Sequence, residues 1–249
     1  MKRKTILITG ASSGLGAGMA RRFAAKGCDL ALCARRTDEL DALKQEIAVS
    51  HPSSRVFVRS LDVSDFAQVF EVFEAFRDDL GSVDRFIINA GIGKGAPIGT
   101  GNFKANLETA QINFCAALAQ CEAAVAILRE QNAGHLVTIS SISAVRGFRG
   151  AMSCYAATKA GLANLSEGIR LELLDTPIKV TTLFPGYILT DINRDIKNAP
   201  FRVDLDTGCD ALVKAIEREP GEACVPSWPW AAMRTAMNHM PLAALKQFS

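Results

Sequence analysis

Seven short runs of apolar or β-branched residues alternate along the 249-residue chain with longer segments of helical period. The runs lie at residues 5–9, 29–33, 55–59, 85–89, 135–140, 179–184 and 223–226. Between two of them, Val69, Phe73, Phe76 and Leu80 recur at helical spacing after Ser64. Further helices are predicted at 15–26, 38–49, 103–131, 153–174 and 207–219. The alternation predicts one α/β domain: a doubly wound, mostly parallel seven-stranded sheet with helices on both faces.

The charge balance argues against a polyanionic partner. Lys and Arg number 28 against 26 Asp and Glu, a formal charge of +2, so no nucleic-acid partner is expected. The apolar run before Gly10 is too short for the core of a signal peptide, and no continuous run of about 18 apolar residues occurs. We therefore expect a cytoplasmic protein.

The seven cysteines do not form a ligand pattern. They lack a Cys-x-x-Cys pair and have no His neighbours at metal-ligand spacing. No metal site is predicted, and the cysteines are interpreted as small buried hydrophobes in a reducing compartment.

A glycine-rich turn follows the first apolar run and precedes a helical segment. Glycines there allow backbone angles that a side chain would block, and a helix start presents free N–H groups to a pyrophosphate. The turn predicts dinucleotide binding by Gly10, Ser12, Ser13, Gly14, Leu15 and Gly16.

The second run ends at Arg35 and Arg36, where a protein that prefers NAD would carry an acidic residue for the ribose hydroxyls. A guanidinium suits a 2′-phosphate instead. The expected cofactor is NADP(H); the alternative is that both arginines merely face water at a helix start.

Further motifs follow the glycine turn in order along the chain. With the loop from Thr9 to Gly16 they are Asp62 and Val63, Asn89, Ala90 and Gly91, Asn113, Ser140 and Ser141, Tyr155 and Lys159, and Pro185 and Gly186 with Thr190. In these motifs, which span about residues 5 to 226, the chain resembles the roughly 250-residue branch of the short-chain dehydrogenase/reductase family, whose fold is of the Rossmann type.

Tyr155 and Lys159 also have a chemical rationale of their own. Hydride transfer to or from a carbonyl needs a group that exchanges the proton on the oxygen, and Lys159 lies on the same helix face as Tyr155, where its ammonium would lower the pKa of the phenol. The resemblance further implies that Lys159 binds the nicotinamide ribose, that Ser141 binds the substrate oxygen and that Asn113 holds a water that relays protons to Lys159. It also implies that Ile188 and Thr190 contact the carboxamide and that residues 191–202 cover the substrate.

The serine assignment leaves an alternative open. The family usually places this serine 13 residues before the tyrosine, whereas Ser141 lies 14 and Ser143 lies 12 before Tyr155. Ser141 is favoured because it closes the fifth strand. No histidine offers a base for a serine hydrolase near it.

The resemblance ends before the C-terminus, so we divide the chain into a catalytic domain, 1–227, and an apolar tail, 228–249. In the tail Trp230, Met233, Met237 and Met240 form an apolar stripe. The favoured interpretation is a helix packed on its own subunit or a dimer partner; a lid over a hydrophobic substrate and, less favoured, a membrane contact are alternatives. The usual tetramer is in doubt, and a homodimer is expected.

The predicted function is NADP(H)-dependent oxidoreduction of a small-molecule carbonyl or secondary alcohol. The apolar tail favours an apolar substrate. The alternative is an NADP(H)-sensing binding protein without turnover. The complete set of Asn113, Ser141, Tyr155 and Lys159 argues against that alternative.

Overall fold

A computed structural model describes residues 3–190 and 199–246. Its strands are β1 (Thr5–Thr9), β2 (Asp29–Ala34), β3 (Val56–Ser60), β4 (Arg85–Ile88), β5 (Gly134–Ile139), β6 (Ile178–Pro185) and β7 (Glu222–Val225). Its α-helices are α1 (Gly14–Ala25), α2 (Thr37–Ser50), α3 (Phe66–Leu80), α4 (Phe103–Ala110), α5 (Ala116–Gln131), α6 (Met152–Glu172), α7 (Leu205–Arg218), α8 (Ser227–His239) and α9 (Leu242–Leu245). A π-helical turn, Gln111–Cys115, joins α4 to α5, and a 3₁₀ turn, Ile142–Val145, follows β5.

Within the described residues the seven strands form one sheet in the order β3-β2-β1-β4-β5-β6-β7, and every neighbouring pair is parallel. The predicted doubly wound α/β fold is confirmed. The strand order reverses between β1 and β4. Ligands of such sheets bind outside the carboxyl ends of the strands at this point.

Both faces of the sheet are covered, which explains why its strands are apolar on both sides. In β1 the side chain of Leu7 packs towards α3 and α5, whereas Ile6 and Ile8 pack towards α1 and α7. On the first face Phe73 of α3 stacks on Phe86 of β4 with ring centroids 5.6 Å apart. The two apolar layers hold the strand ends in register and so position the loops that follow them.

Most predicted bounds lie within one or two residues of the observed ones, and two of the differences have a clear physical cause. The fourth strand ends at Ile88 because the N–H of Asn89 turns to the Thr9 Oγ1, 3.0 Å away, instead of continuing the ladder. The helix predicted over 103–131 contains the π-helical turn. π-Helical turns inside α-helices are frequent at functional sites.

The helical stretch Phe103–Gln131 is long and apolar enough, by length and composition, to cross a membrane. Much of it, 61% of its most apolar window, is buried inside the protein. Since α5 packs on α3 and the sheet, this stretch has the character of a core helix.

Candidate active site

A cavity of about 400 Å³ opens at the carboxyl ends of the strands, beside the point where the strand order reverses. It brings together residues predicted from seven separate parts of the sequence. Its lining includes Gly10, Ser12, Ser13, Gly14, Leu15, Arg35, Arg36, Asp62, Val63, Asn89, Ala90, Gly91, Ser141, Tyr155, Lys159, Pro185, Gly186, Ile188 and Thr190. Gly16 and Asn113, also predicted, lie behind this lining.

The glycine turn forms one wall of the cavity and has a backbone that only glycines adopt easily. Gly10 and Gly14 have φ values of 63° and 52°. A Cβ at Gly10 would lie 2.9 Å from the Ala90 Cα, and one at Gly16 would lie 2.3 Å from the carbonyl oxygen of Gly10. The close packing leaves the first turn of α1 facing the cavity, which is the geometry of an anion site at a helix N-terminus.

Thr9 and Asn89 tie this turn to the end of β4. The Thr9 Oγ1 accepts hydrogen bonds from the backbone N–H groups of Asn89 and Ala90, at 3.0 and 3.1 Å. The Asn89 side chain donates to the Thr9 carbonyl oxygen at 2.9 Å. Because Thr9 is fully buried, these bonds fix the distance between the two walls.

Two positively charged side chains, Arg35 and Arg36, follow the end of β2. The Arg36 guanidinium donates to the hydroxyls of Ser12 and Ser13, at 3.0 and 2.6 Å, so it lies over the start of the glycine turn. Asp62 also lines the cavity. Hydrogen bonds from Ser64 hold the pKa of Asp62 below its usual range, and the Arg35 charge lowers it further. No acidic residue occupies the end of β2, since residues 34–36 read Ala-Arg-Arg.

At the other end of the cavity lie Tyr155, Lys159 and Ser141. Tyr155 and Lys159 share one face of α6, with the Lys159 Nζ 6.0 Å from the centre of the Tyr155 ring. The Lys159 ammonium donates to the Ile139 carbonyl oxygen at 2.8 Å. Ser140, which the prediction did not assign to the site, donates to the main-chain oxygen of Lys159 at 2.8 Å and so fastens α6 to β5.

The two candidate serines differ in whether they reach the cavity. Ser141 lines the cavity and hydrogen-bonds to Tyr155, whereas Ser143 is buried and donates to the Ser141 Oγ at 2.9 Å. Ser143 therefore lies on the buried side of Ser141 and orients its hydroxyl.

Burial governs the protonation of this end of the cavity. It raises the pKa of Tyr155, and the hydrogen bond from Ser141 opposes the rise only in part. It also lowers the pKa of Lys159 to about 8. The sequence-based expectation was that Lys159 lowers the pKa of the phenol; here its ammonium turns to Ile139, so burial decides the direction.

Asn113 lies in the π-helical turn and is fully buried. Its side-chain amide donates to the Ile92 carbonyl oxygen and accepts from the Ile92 N–H, at 2.9 and 2.8 Å. A Cβ on Gly91 would lie 3.1 Å from Asn113 Oδ1 and 3.4 Å from Lys159 Nζ. Both the donor and the acceptor of the Asn113 side chain bond to the main chain of Ile92. The main chain of Asn113 is therefore the part of this residue that can contact a ligand in the cavity.

Comparison with known proteins agrees with this geometry. The family model for short chain dehydrogenases matches residues 4–200. An oxidoreductase of Mycobacterium tuberculosis is 49% identical over 247 residues, 99% of this chain and 98% of that protein. The chain belongs to the short-chain dehydrogenase family. It is an oxidoreductase whose fold binds a nicotinamide dinucleotide, NAD or NADP.

One further relative of this short-chain dehydrogenase and two similar solved structures have names that state an activity. Levodione reductase of Leifsonia aquatica is 31% identical over 220 residues, 88% of this chain and 81% of that protein. A crystal structure of levodione reductase superposes with a TM-score of 0.82 at 27% identity, covering 92% of this chain and 98% of that one. An alcohol dehydrogenase of Thermococcus sibiricus, complexed with 5-hydroxy-NADP, superposes at 0.79 with 24% identity over 90% and 96% and shows the shared fold.

The tail of this short-chain dehydrogenase packs beside the active-site loops. Trp230 is 2% exposed, and a Cβ on Gly186 would lie 2.0 Å from its Nε1. Arg146, just beyond the 3₁₀ turn, donates to the carbonyl oxygens of Met237 and Met240 at 2.6 and 2.8 Å. The tail thus touches the loop after β5 and the loop after β6. The apolar stripe signalled inward packing for Trp230 and Met237. Gly186 was predicted as a cofactor residue, but no pattern predicted its contact with Trp230, and none pointed to Arg146.

Two further predictions concern a segment that covers the substrate and the binding of a metal. Of the expected covering segment 191–202, residues 191–198 lie outside the described residues. In the described part of the chain no cluster of three His, Cys, Asp or Glu side chains could hold a metal ion.

Proposed function

We propose that this protein is an NADP(H)-dependent reductase that interconverts a carbonyl compound and a secondary alcohol, with Tyr155 as the acid/base. The observation that carries the proposal is the arrangement of Tyr155, Ser141 and Lys159 at one end of a cavity whose other end holds Arg36 on the glycine turn. An acid/base and an anion site at opposite ends match a ligand that is phosphorylated at one end and reactive at the other.

The cavity fits a nicotinamide dinucleotide. The space that a Cβ at Gly10 would fill is needed for the close approach of Ala90, and the start of α1 suits a pyrophosphate. Asp62 and Val63 would hold the adenosine, and Ile188 and Thr190 the carboxamide. When bound, the nicotinamide gives or takes the hydride.

Three donors support the choice of NADP(H). The hydroxyls of Ser12 and Ser13 each lie within hydrogen-bond distance of the Arg36 guanidinium, and all three groups can donate to a 2′-phosphate. Arg36→Ser should weaken NADPH binding by roughly tenfold or more, since a hydrogen bond to a charged group contributes about 1.5–3 kcal/mol. NADH affinity is the internal control and should stay unchanged. Equal losses for both cofactors in a fluorescence titration would contradict the assignment.

Tyr155 is suited to donate a proton. Because burial raises its pKa, the phenol is protonated near neutral pH, which is the state that reduction of a carbonyl requires. After donation, the Ser141 hydrogen bond and the Lys159 ammonium would stabilise the phenolate. Ser143 would keep Ser141 directed at the substrate oxygen, and the main chain of Asn113 would hold the relay water.

Tyr155→Phe tests this function. The variant should lose turnover by roughly 10²- to 10⁴-fold while keeping its NADPH dissociation constant, because only the proton donor is removed. NADPH oxidation against ketones graded by size gives the readout. Ser141→Ala should approach the same loss and Ser143→Ala should fall short of it. Near-wild-type turnover in Tyr155→Phe would refute the mechanism, and NADPH binding without turnover of any ketone in the wild type would favour the sensing protein.

A further inference from the structure

Three aromatic rings from two distant segments form a cluster at the mouth of the site. The rings of Tyr187 and Trp230 lie edge to face with centroids 5.7 Å apart, and those of Phe201 and Trp230 do so at 6.0 Å. Trp230 is buried, Tyr187 is half-buried and Phe201 is 54% exposed. Trp230 therefore supports two rings whose outer faces stay accessible, and we call this group the aromatic cluster.

The backbone holds Tyr187 beside the reacting groups. It lies between Gly186 and Ile188, which both line the cavity. Its carbonyl oxygen accepts from the Val203 N–H at 3.0 Å, and a parallel bridge pairs Ile188 with Val203. Burial raises the pKa of Tyr155 most, and the Tyr187 phenol raises it further, as a neighbouring phenol would.

Phe201 has an unusual backbone for an aromatic residue. Its φ of 51° lies in the left-handed region, which costs free energy for residues other than glycine. Such a conformation persists where surrounding contacts enforce it, and such residues cluster at functional sites. Here it accompanies an exposed ring held edge-on to Trp230.

Contacts between the tail and the loops after β5 and β6 hold the aromatic cluster in place. Trp230 occupies the space left by the absent side chain of Gly186, so the tail and the loop after β6 interlock. Arg146, in the loop after β5, donates hydrogen bonds to the carbonyl oxygens at the end of α8. A ring that binds against Tyr187 thus meets a preformed surface, which lowers the ordering cost of binding.

We infer that Tyr187, supported by Trp230 and Phe201, is a specificity-determining residue for the substrate, and that the substrate is a ketone whose carbonyl is attached to a flat, apolar aromatic ring. The inference rests on the proposed reductase function. Aromatic rings favour offset or edge contacts with one another over contacts with saturated groups of the same size. The Tyr187 hydroxyl makes no hydrogen bond with any residue that the structure describes, so it is available to a polar substituent on that ring.

The test compares acetophenone with cyclohexyl methyl ketone, which share a carbon skeleton and differ in the flatness and π-system of the ring. The ratio of their kcat/KM values with NADPH is measured in the wild type, Tyr187→Leu, Tyr187→Phe and Phe201→Leu. Trp228→Leu is the matched control, because Trp228 lies in the same tail and is 78% exposed. The wild-type ratio should favour acetophenone and fall about three- to tenfold in Tyr187→Leu. It should fall less in Phe201→Leu and stay unchanged in Tyr187→Phe and in the control.

A binding assay separates this inference from the proposed function. In Trp228→Phe the remaining tryptophan is Trp230, whose fluorescence reports ligands at the cluster. Acetophenone should quench it with a lower dissociation constant than cyclohexyl methyl ketone in the presence of NADP⁺, and Tyr187→Leu should abolish the difference. This result without turnover would overturn the reductase function alone. Equal affinities, or an equal loss of both ketones in Tyr187→Leu, would overturn the inference.

Discussion

A buried histidine at the amino end of the sheet makes the stability of this protein depend on pH. The His135 Nδ1 accepts a hydrogen bond from the Arg85 Nε at 2.9 Å, and its Nε2 lies 2.8 Å from the Thr181 Oγ1. Thr181 donates its proton to the Pro220 carbonyl oxygen, so it accepts from His135. The ring is therefore neutral, and Glu219 pairs with Arg85 at 3.0 Å beside it.

The sign of the effect follows from the protons bound in each state. Burial, and next the Arg85 charge, lower the pKa of His135 from 6.5 to about 3. Between these values the unfolded chain carries a proton on His135 that the folded chain lacks, so acid favours unfolding. The contribution is fully present above pH 6.5 and is lost as the pH falls towards 3. From pH 7.5 to 5.0 the loss amounts to about 2 kcal/mol, a figure set by the unfolded-state pKa.

Urea unfolding at pH 7.5 and 5.0 measures this loss. In His135→Gln the side chain keeps a donor and an acceptor but does not titrate, so the difference between the two pH values should shrink by about 2 kcal/mol. The matched control replaces the exposed His239 by Gln and should retain the wild-type difference. A pH dependence that survives unchanged in His135→Gln would refute the assignment of the loss to this ring.

Two further predictions concern the tail. Gly186→Ala places a methyl group 2.0 Å from the Trp230 Nε1, and such overpacking should cost about 1–3 kcal/mol and lower Tm by several degrees in a thermal melt. Adding Trp230→Phe should restore part of the loss; a Tm equal to wild type in Gly186→Ala would contradict the packing. Arg146→Ala removes the donor to the last carbonyls of α8, so limited proteolysis should cut the tail faster while the core stays intact, and an unchanged cleavage rate would count against this contact.

The order of strands and helices could be predicted because each apolar run is short and each helix repeats its apolar residues over several turns. Local patterns carry no information about pairing across the sheet, so they misplaced the end of β4. Asn89 leaves the ladder for Thr9, 80 positions earlier in the chain. The π-helical turn around Asn113 could not be predicted from local patterns either, because the Asn113 side chain is held by Ile92, 21 positions away.

The parts of the candidate site that could be predicted are those whose chemistry needs a particular residue at a particular spacing. Gly10 needs a positive φ and a close approach, and Tyr155 needs Lys159 one helical turn away. Tyr187 and Trp230 have no such requirement. Their contact depends on how the tail returns across the sheet, which no local spacing encodes.

β5 separates two polar clusters whose responses to pH are independent. His135 lies in the strand near its amino end, and Ser141 follows its carboxyl end beside Tyr155. Between pH 7.5 and 5.0 the phenol stays protonated because burial raises its pKa, whereas the unfolded-state charge on His135 already costs stability. A fall in reductive turnover over this range should therefore follow the fraction of folded protein. A decline that His135→Gln leaves in place would instead point to a group inside the cavity.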